Sequence, residues 1–143
     1  MTDKWGRRLF KTGGAFLLLL AAVHSISLFQ KQTPSNETEK QLLDLMTIYK
    51  FNLMGSVRSM WDLLQGFSTS FALSALGLGS IDLALSNERT ALLRRLALIN
   101  ALWLAAMTAV SLHYFFVFPT SFLATAFLLF LSAWLKLPAD STT

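Results

Sequence analysis

Apolar residues gather in four long runs, and the polar stretches between them are short except for one. The runs cover about 9–29, 61–85, 92–117 and 120–136. A bilayer's hydrocarbon core is about 30 Å thick and takes roughly 20 apolar helical residues to cross. The pattern therefore predicts four transmembrane helices. The first run is preceded by Lys4, Arg7, Arg8 and Lys11, as a signal peptide's would be. It continues past Val23 into Ser25–Phe29 without a clear A-x-A site, which favours a retained span.

Residues 30–57 form the long polar stretch. Pro34 breaks the chain, and Asn36 with Glu39 three residues later has the form of a capping box, so a helix should start there. Leu42, Leu43, Leu45, Met46 and Tyr49 give that helix an apolar side; Glu37, Lys40, Gln41 and Asp44 give it a polar one. Such a helix suits a membrane surface or the lid of a bundle. Arg58 and Asp62 then stand one helical turn apart, a spacing that permits an ion pair at the start of the second span. Phe118-Pro119-Thr120 predicts a tight turn before the fourth.

Small residues recur at helical spacing inside the runs. Gly13 lies near the start of the first, Gly66, Ser70, Ser74 and Gly77 mark the second, and Ala97, Ala101, Ala105 and Ala109 the third. In lipid, where apolar contact alone gives helices little reason to associate, such ridges let backbones approach closely. They are expected packing faces.

Composition narrows the class. Of 143 residues, 54% are hydrophobic and only 14% charged, too few charges for an ordinary soluble fold. The expectation is an all-α fold, a single integral-membrane domain over 1–143, built as a four-helix transmembrane bundle with a short amphipathic outer helix between helices one and two. The chain has no cysteine, which excludes thiol catalysis, disulfides and thiolate metal sites, and its two histidines cannot form a three-histidine centre. No metal site is expected. Lys4, Arg7, Arg8, Lys11, Arg89, Arg94, Arg95 and Lys136 flank one side of the spans; Lys31, Lys40, Lys50 and Arg58 fall on the other, diluted by Glu37, Glu39 and Asp44. The positive-inside rule puts both termini in the cytoplasm and residues 30–57 outside. Basic residues that flank apolar runs suit membrane lipid rather than nucleic acid.

Candidate chemistry concentrates at the outer ends. His24 and His113 each lie five residues before the end of their apolar run, some 7–8 Å deep at about 1.5 Å per residue. Arg58 and Asp62 fall in the same layer, Trp61 and Tyr114 lie at its level, and Gln65 continues the polar stripe from Asp62 into the second span. Ionisable groups in membranes are costly and commonly face a binding or transport path. This layer could hold a quinone or lipid headgroup, or serve only as an interfacial ion pair with interhelical hydrogen bonds. Two imidazoles on different helices also admit a b-type haem, the narrowest of these readings. Asp82 is expected to pair with the arginines of the 86–95 turn, and Asn100 to hydrogen-bond between helices. The sequence contains no nucleophile elbow, phosphate loop or HExxH, and no catalytic residue is assigned.

The stretch Phe51-Asn52-Leu53-Met54-Gly55-Ser56-Val57-Arg58-Ser59-Met60-Trp61-Asp62 with Gly66-Phe67, His24 near the end of the first run, and Tyr114-Phe115-Phe116-Val117-Phe118-Pro119 resemble a group of small four-helix bacterial inner-membrane proteins, loosely DoxX-like. The resemblance covers nearly the whole chain, and its most specific part is Arg-Ser-x-Trp-Asp-x-x-x-Gly-Phe. His113 does not match the pattern. The resemblance implies four spans and a bacterial cytoplasmic membrane, and it carries over no catalytic role. Because DoxX-like proteins include subunits of a quinone-reducing sulfur oxidase, it also implies accessory-subunit or quinone readings. The expected function is a non-catalytic accessory or assembly subunit with a protein partner in the membrane; the alternative is a binder of a quinone or lipid.

Overall fold

The computed structural model describes residues 2–139. Its elements are α1 (Thr2–Leu28), α2 (Glu37–Ile48), β1 (Lys50–Leu53), β2 (Ser56–Ser59), α3 (Met60–Leu85), α4 (Thr90–Tyr114) and α5 (Val117–Lys136). The protein is an all-α, four-helix membrane bundle: α1, α3, α4 and α5 are long and apolar enough to cross a bilayer, and the short α2 lies between the first two. Residue contacts divide into two compact units, residues 1–20 with 75–143, and residues 21–74.

The first unit contains parts of all four long helices. Phe10 and Phe130 are fully buried and meet edge to face, with ring centroids 5.5 Å apart. Gly13 makes room for Phe130: a Cβ added there would stand 2.9 Å from the ring. Gly79 lies against the backbone carbonyl of Gly14, so α1 and α3 touch main chain to main chain. This is the close approach that small residues permit in lipid. On α5 the buried residues Leu123, Ala126, Phe130 and Ala133 alternate at three and four, the spacing of one helix face, and the buried Leu137 follows just past its end.

α3 turns a different face inward from the one expected. Its buried residues are Ala72, Ala75, Gly79 and Asp82. The ridge Gly66, Ser70, Ser74 and Gly77 lies exposed, and a Cβ at Gly66 or Gly77 would meet nothing within 4 Å. On α4, Ala97 and Ala101 are buried, Ala105 is half-buried and Ala109 exposed, so that ridge is used only along its first half.

The end of α4 and start of α5 differ from expectation as well. α4 stops at Tyr114, Phe115 and Phe116 make the turn, and Pro119 falls inside the first turn of α5. The first four N–H groups of a helix have no intrahelical acceptor, so a proline there forfeits no bond. A hydrogen bond of 2.7 Å between the Ser111 and Thr120 hydroxyls ties the two helices across the turn.

In the second unit, α2 begins at the expected cap residue, with the return bond of Glu39 made to the amide one residue earlier. The Asn36 side chain accepts from Glu39 N at 2.8 Å, and the Glu39 carboxylate accepts from Ser35 N at 2.6 Å. None of the residues of α2 is buried, and Leu42, Leu45 and Ile48 leave an apolar side uncovered by protein. A hairpin follows where the polar pattern predicts no strand. β1 and β2 pair antiparallel from Lys50↔Ser59 to Leu53↔Ser56, around Met54 and Gly55 with φ of 50° and 90°. Positive φ at both central residues is what a two-residue type I′ turn needs. The Asn52 side chain accepts from Gly55 N at 2.8 Å and braces the turn.

Candidate functional site

Ser59 closes β2 and opens α3. Its N–H donates to Asp62 Oδ2 at 2.9 Å, while its Oγ accepts from Asp62 N at 3.1 Å. This reciprocal pair is a capping box, and it corrects the expected ion pair between Arg58 and Asp62. Arg58 lies on the exposed hairpin and donates to the Val57 carbonyl instead. A strand residue one position before the helix cap does not keep the helical spacing on which the pairing depended. Asp62 thus satisfies an orphan amide at the positive end of α3.

The remaining candidates of the second unit have separate partners. Gln65 donates to the Leu28 carbonyl across 3.5 Å. Trp61 lines a shallow cleft of about 170 Å³ with Gln32, Leu43, Asp44 and Thr47. That volume is below the roughly 300 Å³ at which small-molecule pockets begin. His24 packs edge-on to Phe71, centroids 4.9 Å apart, and its Nε2 is buried without a hydrogen-bond partner among the described residues.

In the first unit, His113 is the last residue but one of α4 and is exposed, as is Tyr114, against which it packs at 4.5 Å. Because α4 ends three residues earlier than expected, His113 stands at a helix end and not some 7–8 Å inside one.

The polar groups that the first unit does bury lie elsewhere. Asn100 Nδ2 donates to both carboxylate oxygens of Asp82, at 2.9 and 2.8 Å, and both residues are buried. The expected interhelical bond of Asn100 is present. Its partner is Asp82, which makes no ion pair with Arg89, Arg94 or Arg95; among the described residues the ion pairs are Asp3–Arg7 and Glu37–Lys40. Arg7 also donates to the Glu88 carbonyl at 2.7 Å and to Thr90 Oγ1 at 2.8 Å, and Lys11 to Asn87 Oδ1 at 2.9 Å. These bonds tie the first helix to the 86–90 turn.

Near that turn, Arg94 lays its guanidinium over the Trp134 ring, 5.3 Å from the centroid, and its Nε is buried with no partner. Counting outward from the 115–116 turn of an antiparallel helix pair would have brought the two to one end.

Among the described residues no group of three or more His, Asp or Glu is placed to hold a metal ion. No family model, curated protein or solved structure matches this chain.

Proposed function

We propose that this small integral membrane protein is a non-catalytic accessory or assembly subunit that packs against a protein partner in the bacterial cytoplasmic (inner) membrane. The observation that carries this reading is the stripe Gly66, Ser70, Ser74 and Gly77 on α3, exposed and with open space over both glycines. A ridge of small residues lets a second helix approach closely, and in hydrocarbon that contact is what holds helices together. Phe67, Leu73 and Leu76 beside it are exposed and apolar, as a surface within lipid requires. The Lys/Arg distribution supports an orientation with both termini in the cytoplasm.

The chain has no cysteine, so single cysteines at Ser70 and Ser74 can report on neighbours without background. Crosslinking in native membranes should give an adduct that contains a second, different polypeptide, and Gly66→Leu or Gly77→Leu should abolish it. A chain that stays uncrosslinked, or that captures only itself, disproves the reading.

A second reading, a binder of a small amphipathic ligand such as a quinone or lipid, rests on His24, whose Nε2 is a buried, unpartnered hydrogen-bonding atom. It predicts that His24→Ala loses co-purifying quinone or lipid while keeping its helicity; equal retention removes it. The haem form is tested by an absorbance scan, in which a missing Soret band ends it.

A further inference from the structure

Arg94 and Arg95 occupy the second turn of α4, and Trp134 the last turn of α5. Together with Ala91 and Leu98 they line a cleft of about 80 Å³. We infer that this cleft binds the phosphate of an anionic glycerophospholipid, with the headgroup on the two guanidiniums and the acyl chains along α4.

Four observations support it. Neither arginine has a carboxylate within ion-pair distance among the described residues. Arg94 is held in place by its stack on Trp134, so its fork is oriented before a ligand arrives, and its Nε has no partner among the described residues. An arginine fork matches phosphate geometry, which a lysine ammonium does not. The N-terminus of α4 also has no side-chain cap: Arg89 makes none, and Thr90 Oγ1 is engaged by Arg7 and Asp3. The positive end of the helix dipole therefore adds to the same field.

The surroundings select a lipid over a free anion. Leu98 stands one turn below Arg94, and Leu102 one turn below Leu98 and exposed, on a helix long enough to cross the bilayer. At about 80 Å³ the cleft suits a phosphate group but not chains, which would lie on this apolar track. Basic pockets at the ends of transmembrane helices recognise anionic headgroups in this way. The proposal does not depend on the assembly reading, since it concerns a different helix and a lipid.

The test uses the purified full chain in a neutral detergent. Native mass spectrometry and thermal unfolding are recorded with dioleoylphosphatidylglycerol, with dioleoylphosphatidylcholine and with inorganic phosphate. The expected result is a retained phosphatidylglycerol adduct and a raised unfolding temperature, neither of them seen with phosphatidylcholine or phosphate. Arg94→Gln/Arg95→Gln should weaken the adduct about tenfold or more, the scale of a lost charge-assisted hydrogen bond. Arg94→Lys should weaken it too, although the charge remains. Lys136→Gln, outside the cleft, should leave it unchanged. Circular dichroism on each variant separates lost binding from lost fold. Equal adducts with both lipids, an equal effect of inorganic phosphate, or full binding by the folded double variant would each overturn the proposal.

Discussion

Asn100 holds Asp82 by both carboxylate oxygens, so one amide on α4 accounts for the hydrogen bonding of a carboxyl that is only 1% exposed on α3. Gly14 lies on the other side: a Cβ there would come 3.1 Å from Asp82 Cβ. The carboxyl is therefore enclosed, and removing its amide leaves it no water to turn to. Asn100→Leu should destabilise the bundle by about 2 kcal/mol, the cost of stranding a buried polar group. Asp82→Leu/Asn100→Leu should recover most of that, because removing both partners leaves nothing unsatisfied. Reversible unfolding in mixed micelles distinguishes the two; a double variant as unstable as the single one would contradict this account.

Gly79 and Gly77 are two residues apart on α3 and should respond oppositely to alanine. A Cβ at Gly79 would stand 2.8 Å from the Gly14 carbonyl oxygen, and backbone cannot rotate away as a side chain can. Gly79→Ala should cost about 1–3 kcal/mol by forcing α1 and α3 apart. Gly77→Ala meets nothing and should stabilise the isolated protein by about 0.5–1 kcal/mol through the helix propensity of alanine. The same unfolding assay reads both signs.

If Asp62 caps α3, its value lies with Ser59 and not with Arg58. Ser59→Ala should cost about 1 kcal/mol, as loss of an N-cap does. Arg58→Gln, on the exposed hairpin, should change stability by less than about 0.5 kcal/mol. An ion pair would show the reverse order and would weaken with added salt.

Arg7 reaches Asp3, the Glu88 carbonyl and Thr90 from one fork. Arg7→Lys keeps the charge but cannot make that set of bonds. Amide exchange in residues 86–90 should therefore quicken in Arg7→Lys and stay unchanged in Lys4→Gln. Equal rates in the two variants would show that the turn does not rely on this fork.

Residues whose structure is set by near neighbours were legible in the chain. Asn36 and Glu39 cap α2 where their spacing said they would, since a capping box needs only four consecutive residues. The hairpin at 50–59 carried a local signal too, Gly55 between two short alternating strands, but the polar character of the segment hid it. The partner of Asp62 is not legible in the spacing alone, because β2 runs up to Ser59 and Arg58 never joins the helix.

The chain by itself determined four bilayer-length helices, the polar segment between the first two and the start of α2. Length and apolarity suffice for that, because a helix in hydrocarbon must satisfy its own backbone. Only the tertiary structure decided which side of each helix turns inward. Lipid and protein interior are both apolar, so hydropathy cannot tell one face of α3 from the other. The choice fell to partners on other helices: Gly14 against Gly79, Asn100 against Asp82. The same holds for Arg94 and Trp134, forty residues apart in the chain and stacked in the fold, a pairing fixed by how two helices meet.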